Sequence, residues 1–188
     1  MPDIDLGESL GPLVHLLGTW EGAEGEDHAP SPTRGTQINH YREHSTYEAT
    51  GLIDNHEQRL FGLKYSTHAW KLGEVDPFHE EVGYWLWDPK ELQVTRCFVI
   101  PRGISLIAGG TVPADAKDFY LSADLGSEIY GICSNRFLHR EFRTLHFELK
   151  MTFNADGSHT YDQNSQLWIK GKSEIFHHRD RNTLQRIG

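Results

Sequence analysis

Histidine is the residue of this 188-residue chain with the widest range of chemistry, since a neutral imidazole accepts protons near pH 7 and binds transition metals. Two of the 12 histidines, His177 and His178, are adjacent near the C-terminal end. Adjacent side chains on a β-strand point to opposite faces, so the pair cannot chelate one metal ion together. Phe176 would share a face with His178, which favours His178 as the inward residue. Two roles stay open for it: a metal ligand, or a strand histidine that only makes hydrogen bonds.

The other candidate motifs lack the spacing that known sites require. His40 and His44 would lie about 13 Å apart on one strand face, too far for a single metal ion. The triplet His79–Glu81 alternates between two faces, which argues against one site made of all three. The chain has no Cys-x-x-Cys, His-Glu-x-x-His or Gly-x-Ser-x-Gly pattern, and Gly109-Gly110 is not followed by Lys and Ser or Thr. Zinc, serine-hydrolase and phosphate-loop chemistry therefore has no support.

β-strands must position these residues, because two-residue alternation dominates the chain after residue 18. Residues 145–153 alternate strictly between apolar and polar, and Asn154–Gly157 then predicts a hairpin turn. The one clear helix pattern is Ser9–Leu17, with Ser9 as N-cap and Gly18 as stop. About ten strands in meander order are predicted, at residues 19–24, 37–50, 59–72, 81–87, 92–100, 104–111, 119–125, 144–153, 158–170 and 174–186.

An antiparallel meander of this length has to protect two sheet edges, and closing into a barrel does so. We therefore expect one all-β domain over residues 1–188, a closed up-and-down barrel of about ten strands plugged by the N-terminal helix, with Trp20 beside the plug. Ten strands leave interior room, which predicts a cavity for a small apolar ligand. A β-sandwich with a solid core is the alternative architecture.

Charge is unevenly distributed. The chain carries 27 Asp and Glu against 18 Lys and Arg, a net charge of −9, which argues against nucleic-acid and membrane-surface partners. Residues 1–30 hold seven acidic residues and no Lys or Arg, whereas residues 170–188 are mostly basic. This complementarity predicts that strand 174–186 pairs with strand 19–24, unless the two ends are solvated separately. Arg179 and Arg181 would then pair with Glu21 or Glu24, or bind an anionic head group.

The sequence features that relate to cellular location predict a cytoplasmic protein. No apolar run approaches the roughly 20 residues that span a bilayer, and the acidic start Met1–Asp5 lacks the pattern of a secretory signal. Two cysteines, Cys97 and Cys133, are too few for a disulfide framework and are expected to be free thiols. The sequence leaves open whether the barrel forms a homodimer.

Two segments resemble a known family. Gly18-Thr19-Trp20-Glu21-Gly22, directly after a short apolar helix, resembles the start of lipocalin-type barrels and more specifically of the nitrobindins, heme-binding β-barrels related to fatty-acid-binding proteins. Of the motif Gly-x-Trp-x-Gly-x-Gly-x-Gly, Gly18, Trp20 and Gly22 match, Glu24 replaces the next glycine, and Gly25 follows one position late. The second specific segment is 178–186, and Pro32-Thr33 resembles the family's Pro-Thr loop.

The resemblance implies a b-type heme protein that reacts with nitrogen oxides or isomerises peroxynitrite to nitrate. Its ferric iron would be held by His178, and Thr33 would lie near the heme edge. The family spacing places the ligand five residues before an apolar residue, and counting back from Leu184 reaches Arg179, so a one-residue bulge is needed to bring His178 into place. The shifted glycine and histidine favour the alternative, a carrier of a small apolar or fatty-acid-like ligand without heme.

Overall fold

The computed structural model describes residues 9–188; Asp3, Asp5, Glu8 and the start on which the prediction about a secretory signal rests lie outside them. The elements are a 3₁₀ helix (Gly11–Leu16), β1 (Gly18–Pro30), β2 (Thr36–Asn55), β3 (Gln58–Lys71), β4 (His79–Asp88), β5 (Gln93–Ile100), β6 (Ile104–Thr111), β7 (Asp118–Asp124), β8 (Ile132–Ser134), α1 (Arg136–Glu141), β9 (Phe142–Phe153), β10 (His159–Ile169) and β11 (Phe176–Arg186). Neither helix in this part of the chain has the length and apolar content that crossing a bilayer requires.

Ten strands close into an antiparallel barrel, which confirms the predicted fold and rules out the sandwich. Each strand pairs with its neighbours along the chain, β7 pairs with β9, β5 pairs with β6, and β1 closes the ring against β11. The eleventh strand, β8, pairs with β6 beside the ring. In the closing pair Glu26 lies opposite Arg181 and His28 opposite Arg179, so the predicted pairing of the first and last strands is confirmed. The expected partner Glu21 contacts His44 instead, at 3.2 Å.

A 3₁₀ helix and the side chains of Trp20 and Trp87 fill one end of the barrel, the closed end. The helix is shorter than predicted: it begins at Gly11, and its N-cap is Leu10 without a side-chain cap, so the prediction of Ser9 as N-cap was wrong. Trp20 is buried and donates its indole N–H to the carbonyl of Leu16 at 2.7 Å, which fastens the helix to β1. The apolar interior continues from here through a set of fully buried side chains: Leu13, Leu63, Trp85, Trp87, Leu121, Leu149 and Leu184.

The glycine motif of β1 lies at a β-bulge. Gly22 is opposite Glu43 on β2, whereas Gly25 is opposite Tyr41, so three steps along β1 match two along β2. One extra residue is therefore inserted in β1, and the same shift occurs against β11 between Glu21 and Glu26. This insertion explains why Gly25 stands one position late in the sequence.

Gly25 is required because a Cβ atom there would overlap the ring of Tyr41. Tyr41 is buried and hydrogen-bonded, so its ring cannot move aside cheaply. We expect Gly25→Ala to lower the free energy of unfolding by about 1–3 kcal/mol, as overpacking does in other cores. Urea denaturation would measure the loss. Gly35→Ala is the matched control, because its new Cβ would lie 3.5 Å from the nearest atom, Oγ of Ser31; equal losses in both variants would contradict the explanation.

Sequence periodicity missed two short elements between β7 and β9. Strand β8 has three residues, too few to show alternation. Helix α1 has six, and its signal was the N-cap Asn135, whose Oδ1 accepts a hydrogen bond from the amide of Leu138 at 2.9 Å. Cys97 and Cys133 are both free thiols, as predicted.

Candidate functional site

The strict alternation of β11 places His178 inside the barrel at the end opposite the 3₁₀ helix, the open end. Inward residues are Phe176, His178, Asp180, Asn182 and Leu184, and the residues between them are more exposed. β11 pairs with β10 in one unbroken register from Phe176 to Leu184, so the bulge that the family spacing called for is not in this strand. A bulge is not needed, because His178 and Leu184 are six positions apart and an even spacing keeps both side chains on one face. Arg179 faces outward.

A buried carboxylate holds the imidazole of His178. Nε2 of His178 lies 2.8 Å from Oδ1 of Asp27, which is 4% exposed. The other oxygen of Asp27 accepts a hydrogen bond from Nδ2 of Asn39 at 2.8 Å. Burial by itself lowers the pKa of His178, but the bond to Asp27 and the charge of Asp180 outweigh it, so the pKa is raised. The surroundings therefore favour a protonated imidazole at His178.

Asp180 completes a cluster with these two residues. Its Oδ1 accepts a hydrogen bond from Nε2 of Gln163 at 2.7 Å. Burial, reinforced by the charge of Asp27, raises the pKa of Asp180 to about 6 even though His178 opposes the shift. Ligand atoms of Asp27, His178 and Asp180 all lie within 4.8 Å of one another. An imidazole and two carboxylates thus converge at the open end, from β1 and β11.

A hydrogen-bonded bridge crosses the interior behind this cluster. Nη1 of Arg96, on β5, donates to Oε1 of Gln163, on β10, at 3.2 Å. These strands are not neighbours in the ring, so the bond spans the lumen. Arg96 also donates to Glu81 and, at 3.0 Å, to the hydroxyl of Tyr65. The open half of the barrel is therefore filled with paired polar groups, not with the apolar cavity that the strand count predicted.

Glu81 is ionised within this bridge. Burial alone would raise its pKa, but Arg96 and His79 overcome that effect and lower the pKa to about 2. Nε2 of His79 lies 3.8 Å from Oε2 of Glu81, so two residues of the triplet His79–Glu81 do face the same interior. The sequence argument treated the three residues as one set, whereas the signal was the two-residue spacing of the outer pair.

Glu43 on β2 is a third buried carboxyl, after those of Asp27 and Glu81. Glu43 accepts hydrogen bonds from the hydroxyls of Tyr161 at 2.7 Å and Ser45 at 2.9 Å, and from Nδ2 of Asn182 at 3.3 Å. Burial raises the pKa of Glu43 even though each of these bonds lowers it. The sequence analysis did not single out Glu43, because an isolated acidic residue in an alternating strand carries no local signal of facing inward.

The remaining predicted site residues lie at the rim of the open end, at the closed end and at the bulge of β1. Thr33 lies in the exposed loop 31–35 at the rim of the open end, where its Oγ1 is 3.1 Å from Oγ of Ser31. The same loop is fastened by Arg34, whose guanidinium donates to Oε2 of Glu141 at 3.0 Å and to the carbonyl of Lys170 at 2.7 Å. Motif residues Gly18 and Trp20 belong to the closed end, and Gly22 to the bulge. They shape the barrel and do not contact His178.

His178 has the surroundings of an axial metal ligand. Its side chain is 34% exposed at the mouth, so a bound group could reach it, and a carboxylate partner is the usual means of orienting a metal-bound imidazole. To present Nε2 to an iron, the ring has to offer Nδ1 to Asp27. Phe98, Leu106, Ile132 and Phe147, on β5, β6, β8 and β9, belong to the buried apolar core of the barrel. Histidine is a common protein ligand of heme iron, so an accessible, oriented imidazole at this position fits heme.

Comparisons with known proteins identify the fold and the family. A search of curated protein sequences found no match. The crystal structure of Rv2717c from M. tuberculosis is similar in fold, with a TM-score of 0.67 and 19% sequence identity over 96% of this chain and 98% of that one. The family model described as a THAP4-like, heme-binding beta-barrel domain matches residues 9–186. The resemblance noted in the sequence is thereby confirmed, and the chain belongs to the THAP4-like heme-binding β-barrel family.

Proposed function

We propose that this protein binds heme b at the open end of the barrel and holds its iron through Nε2 of His178. The observation that carries the proposal is the position of His178: inward-facing, accessible at the mouth and backed by Asp27, in a chain of a heme-binding family. When bound, the heme supplies a ferric centre with one side open to small nitrogen oxides, and isomerisation of peroxynitrite to nitrate is the reaction we assign to it.

The residues around His178 have separate tasks in this proposal. Asp27 orients the imidazole and strengthens it as a donor, while Asn39 keeps Asp27 in place. Phe98 and Leu106 belong to the apolar core, which excludes water from the interior of the barrel. Thr33, on a loop fastened by Arg34, lies at the rim and is proposed to contact the heme edge. The bridge from Arg96 to Gln163 confines the heme to the mouth.

The test uses the two adjacent histidines as variant and matched control. His178→Ala should weaken hemin binding by at least about 100-fold, equivalent to about 2.8 kcal/mol. His177→Ala should bind hemin like the wild type, because His177 faces outward and contacts Asn164. Hemin titration followed at the Soret band measures the affinities, and circular dichroism checks that each variant keeps the barrel.

Each outcome decides the assignment. Equal hemin binding by both variants would show that His178 is not the ligand. A wild-type protein that takes up no hemin at micromolar concentration would overturn the heme proposal and leave the carrier of an apolar ligand as the remaining hypothesis. What supports heme over the carrier is His178, an accessible imidazole backed by Asp27, for which a carrier of an alkyl chain would have no use.

A further inference from the structure

The open end holds more ligand atoms than one axial histidine requires. Asp27, His178 and Asp180 bring two carboxylates and one imidazole within 4.8 Å of one another. We propose that, in the heme-free protein, these three residues bind one divalent first-row transition-metal ion of the Zn²⁺, Fe²⁺ or Mn²⁺ class. Mixed nitrogen and oxygen donors with room for water suit this class of ion.

Both carboxylates are already oriented from outside the cluster. Asn39 holds Oδ2 of Asp27, and Gln163 holds Oδ1 of Asp180. Oδ1 of Asp27 is bonded to Nε2 of His178, and a metal ion would take the place of the proton between these two atoms, which is released to water. The two amides are themselves held: Gln37 donates to Asn39 at 2.8 Å, and Arg96 donates to Gln163 at 3.2 Å. Hydrogen bonds of this kind fix the direction of ligands around metal centres.

The charges of the cluster also favour a cation. Asp27, which is 4% exposed, lies beside Asp180, and two neighbouring carboxylates repel each other. Arg96, the guanidinium that reaches this region, is paired with Glu81. His79 is the other positive group acting on both His178 and Asp180. A divalent ion would balance the carboxylates without moving Arg96 from its partner.

The movement that metal binding requires is small. Ligands about 2.0–2.2 Å from a metal stand about 3.0–3.6 Å apart, so the cluster has to contract modestly from its present spread. Asp180 has to move closer, while Nε2 of His178 and Oδ1 of Asp27, now 2.8 Å apart, have to separate slightly. Because His178 is 34% exposed, water can reach the remaining coordination positions.

The ion and the heme would exclude each other, because Nε2 of His178 cannot serve both. The inference shares this histidine with the proposed function but does not depend on it, since Asp180 has no role in holding heme. Asp180→Asn separates the two sites: it removes a metal ligand while leaving the imidazole and Asp27 in place.

The experiment titrates chelator-treated, heme-free protein with ZnCl₂ in a calorimeter. We expect one Zn²⁺ per chain, an affinity at least about tenfold weaker in Asp180→Asn, and about 10–100-fold weaker in Asn39→Ala, which removes only the amide that holds Asp27. His146→Ala is the matched control, since His146 contacts Asp124 at 2.7 Å in a carboxylate-rich site on the outer face. It should leave the stoichiometry and affinity unchanged.

A parallel hemin titration separates the two proposals. Asp180→Asn should still bind hemin, and wild-type protein preloaded with Zn²⁺ should bind hemin more weakly than the metal-free protein. Zn²⁺ binding without hemin binding would overturn the heme function and support the metal site. Zn²⁺ binding that is unchanged in both Asp180→Asn and His178→Ala, or that is lost in His146→Ala, would place the ion on surface histidines and overturn the metal site. Circular dichroism of each variant confirms that it is folded.

Discussion

Arg96→Met is expected to lower the free energy of unfolding by about 3–5 kcal/mol, because it leaves the buried carboxylate of Glu81 without its cation. Glu81 is 3% exposed and Tyr65 is 2% exposed, so water cannot replace the lost hydrogen bonds. The change also removes the bond to Gln163 and with it the bridge across the lumen. Urea denaturation at pH 7 would measure the loss.

The double variant Arg96→Met with Glu81→Gln distinguishes an unpaired charge from poor packing. Replacing the carboxylate with a neutral amide should recover a large part of the stability, because the destabilising element is the uncompensated charge. A double variant no more stable than Arg96→Met alone would contradict this account. In the wild type, the low pKa of Glu81 contributes stability that is complete above about pH 4.5 and is lost as the pH falls toward 2.

His159 is expected to make the barrel sensitive to mild acid. Its ring is 1% exposed beside Trp20, and neither ring nitrogen has a hydrogen-bond partner among residues 9–188. Burial lowers its pKa to about 4 from the ordinary 6.5. As the pH falls below 6.5, His159 therefore binds a proton in the unfolded chain, whereas in the folded chain it does so only near pH 4. Stability attributable to this residue falls across that window by about 3 kcal/mol.

The measurement compares urea denaturation of the wild type and His159→Phe at pH 7.5 and at pH 4. The variant cannot take up the proton, so the stability difference between the two proteins should shift by about 3 kcal/mol in favour of the variant at the lower pH. Other carboxylates titrate in both proteins and cancel in the difference. His40→Ala, at an exposed position, should follow the wild type. Equal losses of stability in the wild type and in His159→Phe would show that the folded barrel binds the His159 proton as readily as the unfolded chain does.

The barrel could be predicted because its signals are local. Alternation in residues 145–153 and the turn at Asn154–Gly157 identify neighbouring strands without knowledge of the rest of the chain, and the amide of Gly157 does bond to the carbonyl of Asn154 at 3.1 Å. Strand ends were less accurate: β1 runs to Pro30, six residues beyond the predicted end. Ladder hydrogen bonds to β2 and β11 extend it through residues that have little strand propensity of their own.

The candidate site was only partly predictable, because most of its residues are brought together from distant parts of the sequence. His178 was found because its neighbour Phe176 indicated the inward face. Asp27, Glu81 and Arg96 come from strands far apart in sequence, and their meeting depends on the closure of the ring. Charged residues in alternating strands are expected to face solvent, so a polar interior is hidden from a pattern that assumes an apolar one. The sequence therefore indicated the inward-facing histidine but not its surroundings.

Strand length, as much as residue type, determines which functional group meets His178. In β1 the side chains of Glu26 and His28 now contact each other at 2.8 Å on the outside, and Asp27 between them faces in. Removing one residue from the bulge between Gly22 and Gly25 would reverse the two faces beyond it. An imidazole or a glutamate would then replace the aspartate that contacts His178 without a single amino-acid substitution. Insertions and deletions at this one point are thus a route by which relatives of this barrel could exchange one set of donor atoms for another.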